Sequence, residues 1–384
     1  MKIAVLRQKV TGLGGAETTL GYLVRGLAAA GHEVMVYGAA GEAQAQNALG
    51  PRITYVPVPV WGGKTGRLLS YALNTRRLLR RADVQVVFSL ERTYFQQVYR
   101  AGDGCHREWL NRRAPLVSPG ARTLQRLSLF HRVMLGLEKR LFTDLGLKMV
   151  IANSRQVQDE IIRHYRLDPA KIKIIYNGLD HEKFKPWPPE SRPALLARLG
   201  APAGANIVLF VGSGFGRKGL TYLFEAFGGL TDKDTLLWVV GKGPLAAYQR
   251  LANRWALAHR VRFWGPQAEV APFYQAARVL ALPTLYDPCS NVVLEALGCG
   301  CPVVTTAANG AAQFLTPGQN GEILPGPNDI TGLRQALSAY VEKGRDLEVQ
   351  HAAQQAVAHL NWDHTTSQTL AVLEEAADGS RIRF

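Results

Sequence analysis

Two carboxylates flank the start of a predicted helix in the second half of the chain. Asp287 lies on the loop that precedes this helix, and Glu295 lies inside it. Ser290 or Asn291 is suited to cap its first turn. The free N–H groups of a helix start bind anions and hydroxyl oxygens. The arrangement predicts a ligand that is rich in hydroxyl groups and carries phosphate. The alternative is structural, with Asp287 as a loop cap and Glu295 as a solvated helix residue.

Two adjacent cations, Arg217 and Lys218, lie in a glycine-rich loop between a predicted strand and a predicted helix. The loop, residues 212–219, reads G-S-G-F-G-R-K-G. Arg217 occupies the third glycine position of the dinucleotide-binding pattern G-x-G-x-x-G, which argues against a dinucleotide cofactor. Paired cations at a helix start neutralise a diphosphate without a metal ion. The alternative interpretation is a pair of exposed basic loop residues.

Glycines also follow the first predicted strand. Gly14 and Gly15 belong to the turn G-L-G-G-A-E, in which Glu17 replaces the third glycine of the dinucleotide pattern. Without side chains they allow a phosphate or a sugar to approach the backbone at a helix start. A tight strand-to-helix turn would need the same residues. Further along, Asp103 lies between two glycines, in a flexible position that is also typical of a turn.

Alternating strands and helices in two halves of similar plan must position these residues. The pattern predicts an α/β protein with two doubly wound domains, which bind ligands at the carboxyl ends of parallel strands. We expect one domain over residues 1–180 and a second over 181–361, with a final helix, about 362–384, returning to the first. The predicted strands are residues 2–6, 34–37, 52–57, 84–90, 149–153, 172–176, 206–211, 236–240, 261–264 and 279–283, and one that starts at Pro302.

Charge is distributed unequally along the chain. The 384 residues carry a formal net charge of +15, with 27 Lys and Arg against 13 Asp and Glu in residues 1–180 and 18 against 17 in the rest. A strongly basic first half predicts a polyanionic partner: nucleic acid, an anionic membrane surface or a phosphorylated lipid. The alternative is a basic solvated surface. No recognised nucleic-acid-binding module accompanies the charge, so we expect no nucleic-acid partner.

Residues 107–148 form the most basic stretch and interleave cations with Trp109 and with Leu and Phe residues. This pattern is typical of an interfacial surface, in which apolar groups enter the acyl boundary and cations contact lipid phosphates. Two ordinary surface helices would show it as well. The sequence contains no run of 18 uncharged apolar residues, no signal-peptide pattern and no metal-like spacing of its four cysteines. We expect a cytoplasmic protein, peripherally associated with the membrane, and no metal site.

Asp287 and Glu295, separated by seven residues and followed by A-L-G-C-G-C-P-V-V-T-T, resemble the Glu-x7-Glu signature of the family-4 retaining glycosyltransferases with the GT-B fold. Asp287 is one methylene shorter than the usual Glu, which leaves the sugar preference open. The Arg217-Lys218 pair and the G-G-A-E turn resemble the same family, so the resemblance covers nearly the whole chain. It is closest to the lipopolysaccharide-core glucosyltransferases, which have an Asp in the stretch around Asp103.

The resemblance implies two facing Rossmann-like domains and a metal-independent hexosyltransferase that uses a UDP-sugar as substrate and has no cofactor. It implies UDP-glucose as the donor and the inner-core heptose of a lipid-anchored glycan as the acceptor. The implied catalytic residues are Asp103, Asp287, Arg217 and Lys218. Glu295 would bind ribose hydroxyls. The implied donor-binding residues are Gly14, Gly15, Arg217, Lys218, Asp287, Ser290, Asn291, Val292 and Glu295.

Three alternatives stay open at this point. A sister transferase would use another sugar, such as an N-acetylhexosamine or a heptose. A GT-B epimerase acting on UDP-sugars would release sugar without an acceptor. A non-catalytic protein that binds nucleotide sugars or anionic lipids would not turn over a donor at all.

Overall fold

Parallel strands form the centre of two separate units in the computed structural model, which describes residues 1–10, 14–40, 46, 49–50, 52–344 and 346–377. One unit comprises Met1–Gly178 and the segment that starts at Trp362, and the other comprises Leu179–Asn361. Every strand pairing between named strands is parallel. The two sheets and their covering helices confirm the predicted doubly wound α/β fold.

The first unit contains a seven-stranded sheet in the order β3-β2-β1-β4-β5-β6-β7. Chain order reverses between β1 and β4, and such a reversal leaves a crevice outside the carboxyl ends of the two strands. The strands are β1 (Lys2–Leu6), β2 (Glu33–Ala39), β3 (Ile53–Val58), β4 (Val86–Ser89), β5 (Val98–Arg100), β6 (Met149–Ala152) and β7 (Ile172–Ile174).

Helices cover this sheet with apolar faces that recur every three or four residues. The first helix buries Leu20, Leu23, Val24 and Leu27, as the spacing predicts. Ser154 caps another, because its Oγ accepts a hydrogen bond from Val157 N at 3.2 Å. The helices are α1 (Gly15–Ala29), α2 (Lys64–Leu79), α3 (His106–Arg113), α4 (Pro119–Leu127), α5 (Leu129–Thr143) and α6 (Arg155–Tyr165), with 3₁₀ turns at Ala114–Leu116 and Pro169–Lys171.

The second unit repeats the plan with a six-stranded sheet in the order β10-β9-β8-β11-β12-β13, which reverses between β8 and β11. The strands are β8 (Ile207–Val211), β9 (Leu236–Val240), β10 (Val261–Gly265), β11 (Val279–Leu282), β12 (Val303–Thr306) and β13 (Gly321–Leu324). The helices are α7 (Arg192–Arg198), α8 (Leu220–Gly228), α9 (Leu245–Arg254), α10 (Ala271–Ala276), α11 (Asn291–Gly298), α12 (Ile330–Lys343) and α13 (Leu347–Val357), with 3₁₀ turns at Pro189–Ser191 and Gly310–Phe314.

The last described helix, α14 (Trp362–Ala377), belongs to the first unit although it follows the second in sequence. Its apolar residues Val372 and Leu373 are buried in the same core cluster as the strands of the first sheet. The Trp362 ring stacks on Tyr22 of α1 with centroids 4.5 Å apart. This helix therefore completes the core that β1 begins. The predicted residues beyond 377 lie outside the described part of the chain.

Candidate active site

The paired cations lie where the second sheet reverses its strand order. Arg217 and Lys218 follow β8, and Asp287 follows β11, its neighbour in the sheet. Gly219 brings the two loops into contact: its φ is +82°, and a Cβ atom there would lie 1.8 Å from the Pro283 carbonyl oxygen. Only glycine fits both the left-handed backbone and this close approach.

Backbone hydrogen bonds fix the two loops to each other. The carbonyl oxygen of Arg217 accepts from Thr284 Oγ1 at 3.0 Å and from Leu285 N at 2.9 Å. The third loop, after β12, is joined in turn, because Asp287 N donates to Ala308 O and Gly310 N donates to Asp287 O. The loops from three neighbouring strands thus form one rigid platform under the cations.

Asp287 receives both cations on one oxygen. Lys218 Nζ lies 2.7 Å and Arg217 Nη1 3.3 Å from Asp287 Oδ2. Lys218 Nζ also donates to Ser290 Oγ at 3.0 Å, and Arg217 Nη1 donates to Tyr286 O at 2.9 Å. Lys218 is only 7% exposed and Arg217 is partly exposed. The alternative of two exposed basic loop residues is therefore wrong for Lys218.

Burial and pairing determine the charge states of this cluster. Burial alone would raise the pKa of Asp287, but Lys218 and Arg217 outweigh it and hold the pKa below its ordinary value. Burial lowers the pKa of Lys218, and Asp287 opposes that shift. The Asp287 carboxylate is therefore ionised at neutral pH. An anion that binds here meets two cations that already pair with this carboxylate.

Ser290 occupies the N-cap position of α11, but its side chain does not cap the helix. Its Oγ accepts from Lys218, as described above, and its backbone N–H donates to Asn309 Oδ1 at 3.3 Å. The expectation that Ser290 or Asn291 caps the helix by a side-chain hydrogen bond is therefore wrong for Ser290. The Lys218 ammonium competes successfully for the hydroxyl because a charge-assisted hydrogen bond is stronger than a neutral one. Asn291 and Val292 are the first residues of the helix and are partly exposed.

Glu295 is held by a tyrosine. The Tyr274 hydroxyl donates to Glu295 Oε2 at 2.8 Å from the neighbouring helix α10, and Tyr274 itself is fully buried. Burial raises the pKa of Glu295, and the hydrogen bond from Tyr274 opposes that shift. The alternative of a fully solvated helix residue does not describe Glu295, which is partly buried and fixed in orientation.

A second polar cluster lies in the first unit, again at a reversal of strand order. Arg7 follows β1, Glu91 follows β4 and Asp103 follows β5. Arg7 Nη1 lies 3.4 Å from Glu91 Oε1 and 3.3 Å from Asp103 Oδ2. Burial would lower the pKa of Arg7, but Glu91 and Asp103, together with Glu17, outweigh it and raise the pKa. The cation is therefore permanent, and it fixes both acids.

Asp103 is the accessible member of this cluster. Its side chain is 46% exposed, whereas Arg7 is buried. It lies in a turn closed by Gly104 N donating to Ala101 O, with Gly104 at a φ of +63°. The turn predicted from the flanking glycines is present. It exposes the Asp103 carboxylate to solvent, and the ion pair with Arg7 fixes the orientation of that carboxylate.

Gly14 and Gly15 mark the start of α1 in the same unit. Gly14 is the N-cap residue with an extended backbone, and its carbonyl accepts from Thr18 N at 2.9 Å. Its φ of −156° suits any residue, so no positive φ requires glycine there. Three residues on, Glu17 pairs with Lys9 at 3.4 Å. The roles predicted for these glycines towards phosphate or sugar stay predictions. Gly12, in the same predicted turn, lies outside the described residues.

A buried carboxylate anchors the helix that follows Asp103. Glu138 on α5 accepts from the backbone N–H groups of His106 and Arg107 at the start of α3, at 2.6 and 3.1 Å. It also pairs with Arg92 Nε at 2.8 Å. His106 Nε2 lies 3.1 Å from His131 Nδ1. Burial, followed by the charge of Arg92, lowers the pKa of His106 to about 4. This histidine is neutral at physiological pH.

The helix α4 has no buried residue. Together with the first residue of α5 it presents an exposed surface, here termed the α4 surface (Arg122, Leu124, Arg126, Leu127 and Leu129). Leu124 is 72%, Leu127 69% and Leu129 64% exposed. Exposed leucines beside arginines are typical of an interfacial surface, whereas the next helix, α5, has the core face of an ordinary surface helix and buries Leu137 and Leu141. Association with a membrane stays a prediction. No helix within the described residues is long and apolar enough to cross a membrane.

The structure adds three residues that the sequence did not single out. Tyr274, Arg7 and Asn309 each contact a predicted site residue from a distant part of the chain. The predicted residues fall into two groups, with Gly14, Gly15 and Asp103 in the first unit and the others in the second. In the described part of the chain, no three acidic, histidine or cysteine side chains are grouped as metal ligands.

Two family models match the chain, one in each unit. The model described as Glycosyltransferase Family 4 matches residues 13–183, and the model described as Glycosyl transferases group 1 matches residues 205–343. Together the matched segments include both polar clusters apart from Arg7. Two glycosyltransferase models in the order of the two units account for most of the chain.

Similar proteins include two glycosyltransferases. The chain is 32% identical over 247 residues to a D-inositol 3-phosphate glycosyltransferase of Streptomyces bingchenggensis (strain BCW-1). This match covers 60% of this chain but only 54% of the relative. It is 27% identical over 342 residues to the lipopolysaccharide glucosyltransferase WaaG of Escherichia coli (strain K12), which covers 88% of each chain. The chain therefore spans about half of the first relative and most of the second.

A solved structure with the same fold is that of WaaG, a glycosyltransferase involved in lipopolysaccharide biosynthesis. It superposes with a TM-score of 0.84 at 24% sequence identity, and the match covers 97% of this chain and 99% of that chain. The two-unit architecture described above is thus an established one.

Proposed function

Because this chain belongs to the family-4 glycosyltransferases with the GT-B fold, we propose that it is a retaining hexosyltransferase that moves glucose from UDP-glucose onto a lipid-anchored glycan of the lipopolysaccharide-core type. The observation that carries the proposal is the cluster of Arg217 with the buried Lys218 and Asp287 at the strand-order reversal of the second sheet. A cation pair fixed on a rigid platform suits a diphosphate leaving group.

In the proposed reaction, Arg217 and Lys218 bind the diphosphate. Negative charge grows on its outer oxygen as the bond to the anomeric carbon breaks. Two cations that are already oriented stabilise this charge without reorganisation, which is the main source of electrostatic catalysis. The acceptor oxygen forms its bond to the anomeric carbon on the same face, and its proton passes to the departing phosphate oxygen. The donor is a substrate, and the proposal includes neither a cofactor nor a metal ion.

The remaining donor contacts follow from the same geometry. Glu295 binds the ribose hydroxyls, and Asp287 together with the start of α11 at Ser290, Asn291 and Val292 binds the sugar. The proposal also keeps two roles expected in the first unit, those of Asp103 towards an acceptor hydroxyl and of Gly14 and Gly15 towards phosphate.

The α4 surface supports a lipid-anchored acceptor. Its exposed leucines and arginines belong to the basic first half of the chain. Cations attract anionic headgroups by about 1 kcal/mol each, and leucines enter the acyl boundary. We therefore propose peripheral association with the inner face of an anionic cytoplasmic membrane, where a lipid-anchored glycan would be within reach.

A sister transferase with another sugar is the second candidate. One observation favours another sugar: Asp287 is shorter than the family's usual Glu. The relative at 32% identity is named a D-inositol 3-phosphate glycosyltransferase, and this name concerns the acceptor. The chain's own acceptor could then be a phosphorylated polyol instead of a heptose. The cation cluster would serve both candidates equally.

Acceptor-dependent turnover tests the proposal. A panel of nucleotide sugars is first ranked by thermal shift, and UDP release is then measured with and without a heptose-containing inner-core glycolipid or inositol phosphate. We expect UDP-glucose to give release only with the glycolipid, and NMR of the product to show the α configuration of the donor. Sugar release without an acceptor would indicate an epimerase or hydrolase. Binding without any turnover would indicate a non-catalytic protein.

A further inference from the structure

The hydroxyl of Tyr274 fixes a carboxylate that is partly open to solvent. Tyr274 is fully buried on α10, and its ring packs edge-on against Phe184 with centroids 6.2 Å apart. From this position it donates to Glu295 Oε2 at 2.8 Å. Glu295 itself is only partly buried. A rigid interior group therefore holds a side chain that reaches the surface of the second unit.

This contact restricts what the carboxylate can bind. An ionised carboxylate has two oxygens and about four acceptor sites. One site on Oε2 is occupied by Tyr274, and the bond fixes the rotation of the carboxylate plane. The sites that remain are therefore held in one orientation. A ligand with two neighbouring hydroxyl donors in the matching geometry gains both hydrogen bonds without the entropic cost of ordering the side chain.

We propose that Tyr274 is a positioning residue that makes the enzyme discriminate nucleotides by their ribose hydroxyls. The inference rests on the proposed function, in which Glu295 binds those hydroxyls. A site that is built to accept hydrogen bonds rejects an analogue without hydroxyls, because its polar groups are then left unpaired. Tyr274 does not touch the nucleotide in this scheme and acts only through Glu295.

Burial raises the pKa of Glu295, and the Tyr274 hydroxyl lowers it towards the ordinary value. Removing that hydroxyl raises the pKa further, so the carboxylate protonates at a higher pH. A protonated carboxyl accepts fewer hydrogen bonds. Loss of Tyr274 should therefore move the acid limb of nucleotide binding to higher pH as well as weaken binding at neutral pH.

The test compares dissociation constants of UDP and 2′,3′-dideoxy-UDP by calorimetry for the wild type, Tyr274→Phe and Tyr340→Phe. Tyr340 is the matched control, because it is fully buried in the same unit and its hydroxyl donates to Gly321 O at 2.8 Å. Both variants lose one buried hydroxyl hydrogen bond, so a general effect of destabilisation would appear in both.

We expect the wild type to prefer UDP by more than about tenfold, the range for hydrogen bonds to a charged group. Tyr274→Phe should lose most of that preference by weakening UDP, with dideoxy-UDP almost unchanged, and Tyr340→Phe should keep it. In the Glu295→Gln background, Tyr274→Phe should have little further effect on the preference. Comparing Tyr274→Phe in the two backgrounds also separates a loss through Glu295 from a general loss of stability in the Tyr274→Phe variant.

Four outcomes would overturn the inference. Full ribose preference in Tyr274→Phe would show that Tyr274 is only structural, while leaving the proposed function intact. Equal losses of ribose preference in Tyr274→Phe and Tyr340→Phe would also show that Tyr274 is only structural. A wild type that binds UDP without ribose preference would remove the role of Glu295 as well, and a wild type that binds no UDP would overturn the proposed function itself.

Discussion

Lys218 Nζ and Asp287 Oδ2 lie 2.7 Å apart, and both residues are more than nine-tenths buried. Each charge is stable in this place because the other is present, since an unpaired buried charge is costly. A diphosphate that binds Lys218 therefore meets a cation that already has a partner. In the proposed reaction, donor binding shares or displaces the contact between Lys218 and Asp287, so the two residues should respond to substitution in different ways.

Lys218→Ala should reduce kcat, because the departing diphosphate loses one of its two cations. The fold should stay intact because Arg217 still pairs with Asp287. Loss of such a contact costs about 2–4 kcal/mol, or roughly 30- to 1000-fold in rate. The exposed Lys185→Ala is the matched control in the same unit. Steady-state kinetics and UDP binding are the measurements. Unchanged turnover and unchanged donor affinity would contradict the assignment of Lys218.

Asp287→Asn should destabilise the second unit by about 3–5 kcal/mol, because it leaves the Lys218 ammonium buried without its carboxylate. UDP should restore part of this loss by supplying a new anion, so its thermal shift should be larger in the variant than in the wild type. Asp287→Glu keeps the charge and is the comparison. An identical UDP shift in all three proteins would show that the diphosphate does not reach Lys218.

Activity should not require a divalent metal ion. The reason is that Arg217 and Lys218 supply the positive charge that a metal would otherwise bring to the diphosphate. Turnover is measured after treatment with EDTA and after adding back magnesium or manganese. Activity that EDTA abolishes and either metal restores would refute the prediction.

Membrane binding should depend on the α4 surface. Arg122→Ser with Arg126→Ser should weaken binding to anionic vesicles by roughly 30-fold, at about 1 kcal/mol per cation. The exposed pair Arg250→Ser with Arg254→Ser on α9 is the control. Arg112 is left intact because it pairs with the protein's own Glu108 at 2.8 Å. Co-sedimentation at rising salt is the measurement.

Binding to anionic vesicles should fall steeply with salt, since the Debye length is about 8 Å at physiological ionic strength. Leu124→Ser with Leu127→Ser should remove the part of the vesicle binding that persists at high salt. Equal binding of the wild type to neutral and anionic vesicles, or undiminished binding by the double arginine variant, would show that this charge serves another ligand, such as the phosphates of the acceptor.

Thermal stability should rise with pH between about 4 and 6.5, in part because of His106. Its folded pKa of about 4 lies below the ordinary value of 6.5. In this window the unfolded chain binds the proton and the folded chain does not, so acid favours unfolding. The contribution of His106 to the free energy of unfolding is fully present above pH 6.5 and is lost as pH falls towards 4. His106→Gln should flatten this slope of the melting temperature, whereas the exposed His351→Gln should not. Equal slopes in all proteins would contradict the assignment.

The buried strands Lys2–Leu6 and Ile207–Val211 were predictable because short, nearly continuous apolar runs are typical of strands inside a parallel sheet that is covered on both faces. The strand Val98–Arg100 was missed, because three residues are too few to show a period. The short helix Ala271–Ala276 was missed for the same reason, and with it the location of Tyr274.

The candidate site was predictable only where its residues are close in sequence. Arg217, Lys218, Asp287 and Glu295 lie in two segments with recognisable spacing, and the structure brings three of them into direct contact. Their catalytic roles stay predictions. Arg7 has no such signal in the sequence, because it lies 96 positions before Asp103. Their contact depends on the order of strands in the sheet.

The helix Trp362–Ala377 has a consequence for how the protein is made. It completes the core of the first unit, but the ribosome synthesises it only after the whole of Leu179–Asn361. At roughly 5–20 residues per second, the nascent first unit waits about 10–40 s with the surface that will receive Leu373 uncovered. The second unit, whose sequence is continuous, can fold during that interval. Chaperones that bind exposed apolar surface should therefore engage the amino-terminal part of the nascent chain for longer than the middle.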